Sequence, residues 1–99
     1  MTRIPKSFTV GGQDIEVREI ERCDSGCLGE CCVAEGFVDI ACTSKGREIC
    51  DSVRLNTFFH ELTHCVLDTM GENEMSNNEK FVSTFSGFLT EAIRSFKYE

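Results

Sequence analysis

The segment Phe58-Phe59-His60-Glu61-Leu62-Thr63-His64 holds the only two histidines in the chain, four residues apart, with a glutamate directly after the first. On a helix, residues four apart lie on one face, so both imidazoles reach a single metal ion. Glu61 then stands beside them, where a general base would take a proton from water. The segment therefore asks for a helix and for one more ligand from elsewhere, because three protein ligands and an open position define a catalytic zinc site.

A chain of 99 residues makes one small domain, 1–99, with a small core. A net charge of −7 argues against a nucleic-acid partner, which needs a basic surface. No apolar run is long enough to cross a bilayer, so no membrane partner is expected. Met1-Thr2-Arg3-Ile4-Pro5-Lys6 lacks the apolar stretch of a secretory leader, and the expected compartment is the cytoplasm. The oligomeric state is left open.

Seven cysteines are many for this length: Cys23, Cys27, Cys31, Cys32, Cys42, Cys50 and Cys65. An odd count without a leader argues against a disulfide framework, and the spacing from Cys23 to Cys32 lacks the C-x2-C pairs of structural zinc sites. Reduced thiols, some buried as small hydrophobes, are the expectation. A second metal site or a redox pair between Cys23 and Cys32 is the competing reading.

Hydrophobic patterning divides the chain in two. Phe8-Thr9-Val10, Gly11-Gly12 and Gln13 to Ile20 read as a β-hairpin, since Gly-Gly suits a two-residue turn with positive φ at both positions. Cys31 to Ala34, Glu35-Gly36 and Phe37 to Cys42 read as a second hairpin. Together they predict an antiparallel sheet of three to four strands.

From about Glu48 the period becomes helical, with Phe59, Leu62, Val66 and Met70 on one stripe. Gly71 is placed to end this helix. Ser76-x-x-Glu79 opens a second helix with a capping-box pattern, running to about Lys97. Val82, Phe85, Leu89, Ala92 and Phe96 form its core stripe, widened by Phe81 and Phe88. The connection is short, so the helices are antiparallel neighbours. The expected fold class is α+β, a small sheet packed on a helical hairpin.

The third ligand must be acidic, and Asp68, Glu72, Glu74 and Glu79 follow the histidines. His64 lies roughly 9 Å before the helix end, and Glu79 lies roughly 4.5 Å back down the returning helix. A glutamate side chain spans the remaining gap, so Glu79 fits best. Its rival role is the capping box, which would use the same carboxylate. Asp68, one turn after His64, is better suited to orient an imidazole. Glu72 and Glu74 fall in the turn and are expected in solvent.

The stretch Thr57 to His64, followed by Asn78-Glu79-Lys80-Phe81-Val82 and Phe85, resembles the small zinc metallopeptidases of phages and mobile elements. These are miniature gluzincins, akin to the ImmA/IrrE-type peptidases. Ile4 to Ile20 also resembles their opening strands, whereas the cysteine-rich middle does not belong to the pattern. The resemblance implies a minimal zincin-like core with His60, His64 and Glu79 as Zn2+ ligands and Glu61 as general base and acid. It implies a peptide or protein substrate. Ser83 and Thr84 stand where gluzincins often carry an acid behind a ligand histidine, so Asp68 is left to fill that role.

Hydrolysis also needs a donor for the oxyanion. The sequence has no third histidine, and Tyr98 lies near the end. An extended substrate is expected along the strand Phe37–Cys42, read as an exposed edge. Two other functions fit the same residues: a catalytically latent zinc-binding interaction module, and a thiol-based sensor built on the cysteines.

Overall fold

The computed structural model describes residues 3–99. Met1 and Thr2, part of the segment read above as no leader, lie outside them. The architecture is α+β, as expected. A sheet of four strands is formed by β1 (Ser7–Val10), β2 (Gln13–Ile20), β3 (Gly29–Cys32) and β4 (Phe37–Ala41). A small hairpin follows, β5 (Thr43–Ser44) with β6 (Arg47–Glu48), and then the helices α1 (Asp51–Met70), α2 (Asn73–Ser76) and α3 (Glu79–Arg94).

Both predicted hairpins form. Gly11 and Gly12 take φ values of 58° and 81°, the left-handed pair that a tight hairpin turn requires. The spatial order, however, is β1-β2-β4-β3, and β2 pairs with β4 in parallel, Glu16 opposite Phe37 and Ile20 opposite Ala41. The sheet is therefore mixed, not wholly antiparallel. The segment from Glu21 to Leu28 carries the chain past the place of β4, and β4 then returns between its neighbours. That place suits its composition: Val38, Ile40 and Ala41 are all buried. Phe37–Ala41 is thus an interior strand, and the sheet's edges are β1 and β3.

Helix α1 begins at Asp51, three residues later than the periodicity predicts, because Arg47 and Glu48 pair with β5. It ends where predicted. Gly71 takes φ 80° and its N–H bonds to the carbonyls of Leu67 and Asp68. One face of α1 buries Leu55, Phe58, Phe59 and Cys65 in a cluster with Ile15, Val38 and Ile40 of the sheet. Val66 and Met70, expected in the core, are exposed.

The core stripe of α3 is only in part the expected one, which Val82 and Leu89 keep. Val82, Ser86 and Thr90 are buried, whereas Phe85 and Phe88 face outward; the helix ends at Arg94, short of the expected Lys97, so Phe96 lies beyond it and is exposed. Leu89 and Ile93 pack beside the buried cluster. The hydroxyls of Ser86 and Thr90 bond back to the carbonyls of Ser83 and Ser86, which satisfies them inside the helix pair. No helix among the described residues is long and apolar enough to cross a membrane.

Candidate metal centre

Helix α1 sets His60 and His64 one turn apart, with ring centroids 5.1 Å from each other. The connection then decides what meets them. It contains one turn of helix, α2, which shifts the start of α3 by two residues from the Ser76 cap that the sequence suggests. Asn78 is the cap instead, its side chain accepting the Phe81 N–H at 3.1 Å. Glu79 becomes the first residue of α3 and its carboxylate is released from capping.

That carboxylate faces both imidazoles. Oε2 lies 3.3 Å from Nε2 of His60, and Oε1 lies 3.3 Å from Nε2 of His64. A metal ion about 2.0–2.1 Å from each donor sets neighbouring ligands about 3.3–3.5 Å apart, so each carboxylate–imidazole approach leaves room for an ion. One donor atom from each of the three residues falls within 4.8 Å of the others. The two histidines are partly buried and Glu79 is mostly exposed, leaving the site open on one side.

The residue behind His64 is not the one expected. Asp68 is exposed and makes no side-chain hydrogen bond among the described residues. Ser76 is only 4 % exposed, and its hydroxyl lies 3.0 Å from Nδ1 of His64. A hydrogen bond there fixes the ring and turns Nε2 toward Glu79. The sequence pattern at Ser76 is that of a cap; only its burial marks the other role. Glu72 and Glu74 are exposed, as anticipated.

Glu61 lies directly behind the centre and is only 7 % exposed. Burial raises its carboxyl above the ordinary value, and a hydrogen bond with the Cys31 thiol opposes that. Its lid is Gly29, a residue without any motif signal. A Cβ on Gly29 would lie 2.7 Å from Cγ2 of Thr57 and 3.0 Å from Cγ and Oε2 of Glu61. The edge strand β3 therefore approaches α1 as closely as a bare backbone allows.

A groove of about 440 Å³ runs between these elements. Cys27, Leu28 and Gly29 form one wall; Asn56, His60, Glu61, His64 and Glu79 form the other. The cysteine-rich segment, outside the resemblance, thus supplies half of the site. The edge that borders the groove is β3, so the strand Phe37–Cys42 is corrected as a substrate-binding edge.

The cysteines are all unbridged thiols. Cys23 and Cys65 are buried; burial pushes the Cys23 thiol up to about 11. Contact with Cys65, and then burial, pushes the Cys31 thiol well above its ordinary range. Among the described residues, no cysteine joins a group able to hold a metal ion. Tyr98 is exposed and packs on Phe96, away from the groove.

No protein-family model matches the chain, and no curated protein or solved structure matches it either. Its own geometry defines an α+β protein with a His-His-Glu group that could hold a metal ion.

Proposed function

We propose that this chain is a zinc-dependent peptide hydrolase of the HExxH kind, with zinc held by His60, His64 and Glu79. The observation that carries the reading is the pair of 3.3 Å approaches from one carboxylate to both imidazoles, with Glu61 one residue from the first ligand. Bound there, zinc would activate water and polarise the scissile carbonyl.

The chain's own residues supply the rest. Glu61 accepts the proton of the attacking water and hands it to the leaving amine. Ser76 holds His64 in register. Asn56, one turn before His60 and on the groove wall, is the side-chain amide available to the oxyanion. The open backbone edge of β3 pairs with an extended peptide and lays it across the groove.

A second reading, a latent zinc-binding interaction module, draws on one observation: Glu61 is nearly covered by Gly29 and Thr57. Incubating the zinc-loaded chain with a mixed peptide library and mapping new termini by mass spectrometry tests both. Cleavage that Glu61→Gln abolishes, with zinc content retained, supports the hydrolase. No cleavage by the wild-type chain, with one zinc per chain bound, supports the module.

A further inference from the structure

Helix α3 carries a second apolar face that covers nothing among the described residues. Phe85 and Phe88 on it are 48 % and 68 % exposed. Phe81 stacks on Phe85, with ring centroids 5.7 Å apart. Phe81, Phe85, Phe88 and Ala92 follow a 4-3-4 spacing, the seam period of packed helices, and lie beside the stripe that Val82, Ser86 and Leu89 turn toward α1. We infer that this seam binds a second copy of the chain, with the two α3 helices antiparallel about a two-fold axis.

Three features select a second copy as the occupant. The seam is self-complementary in size: antiparallel pairing sets Phe85 against Phe88 of the other copy, and bulky Phe81 against small Ala92. Its flank carries one base, Lys80, and one acid, Glu91, a balanced pair within a chain of net −7. Antiparallel pairing brings Lys80 near Glu91 of the second copy, whereas parallel pairing sets each beside its own kind.

The area agrees. At about 200 Å² per phenylalanine, the exposed parts of Phe85 and Phe88 offer on the order of 230 Å² per copy. Doubled over the two copies and widened by the flanks of the seam, this is a small interface, of the class that forms weak, reversible dimers. The seam lies apart from Glu61 and the groove, so the inference stands whether or not the chain hydrolyses peptides.

Sedimentation equilibrium of the full chain under reducing conditions tests it. The expected result is a concentration-dependent monomer–dimer equilibrium. Phe88→Glu and Phe85→Glu should each weaken it about tenfold or more, with the thermal melt unchanged because both rings are exposed. Lys80→Glu should weaken it, and Lys80→Glu with Glu91→Lys should restore it. A wild-type chain that stays monomeric at its solubility limit overturns the inference. So does a dimer that survives Phe85→Glu and Phe88→Glu in a folded chain. Failure of the paired charge reversal to restore association overturns the antiparallel arrangement.

Discussion

The hydroxyl of Ser76 lies 3.0 Å from Nδ1 of His64, and it comes from a one-turn helix where the sequence pattern places a connection and then a helix cap. Metal ligands held from behind in this way bind more tightly, because the ring no longer has to be oriented on binding. Ser76→Ala should therefore weaken zinc binding by about 10- to 100-fold in a competition titration against a chelating dye. Asp68→Ala should leave it unchanged. An equal loss from both variants would remove Ser76 from its role.

Asn78 and Glu79 are adjacent, yet their tasks separate. Asn78→Ala removes the α3 cap and should cost about 1 kcal/mol in denaturant unfolding of the zinc-free chain. Glu79→Gln should leave that stability nearly intact and lower bound zinc sharply, read as metal per chain by mass spectrometry. If Glu79→Gln instead destabilised the zinc-free chain as much as Asn78→Ala, the carboxylate would be serving the helix terminus.

Gly29→Ala places a methyl group against Thr57 and Glu61 and should destabilise the chain by about 1–3 kcal/mol. The nearest obstacle is Cγ2 of Thr57, which serine lacks. Thr57→Ser should therefore recover part of the loss, a coupling that a double-mutant cycle measures. Purely additive effects would mean that β3 simply moves away.

Cys50 stands just before α1 without a side-chain capping bond, is exposed, and has its thiol held below the ordinary value by Ser52 and by backbone N–H groups of the first turn. Cys23 is buried, with its thiol pushed up to about 11. Iodoacetamide near neutral pH should modify Cys50 well before Cys23, Cys31 or Cys65, as timed mass spectrometry would record. Early modification of Cys23 would contradict its burial.

The raised Cys23 thiol also gives a pH dependence with a definite sign. The folded chain keeps the proton to about 11, while an unfolded thiol loses it near 8.5. The unfolded state then binds fewer protons, so stability falls as pH rises between those values. Below the unfolded value the contribution is fully present. Urea unfolding under reductant from pH 7 to 10.5 should show that decline, and Cys23→Ala should flatten part of it.

Local patterns carried much of the fold. Gly11-Gly12, Gly71 and the change of period near Glu48 mark the first turn, the end of α1 and the passage from strands to helices, because backbone preference and amphipathicity act over a few residues. The pairing of β2 with β4 was not legible. Nothing within either strand distinguishes a parallel from an antiparallel neighbour, and the choice depends on where the chain re-enters the sheet. The same limit misplaced Phe85 and Phe88, since an apolar stripe does not say which of two adjacent faces the first helix covers.

By itself the sequence determined the His60–Glu61–His64 unit and made Glu79 the ligand to expect, since helical spacing and a short return connection are local geometry. Only the tertiary structure decided that Asn78 caps α3, that Ser76 stands behind His64, and that Gly29 closes over Glu61. Those three relations join segments through burial and close packing, and packing between segments is set by the whole chain.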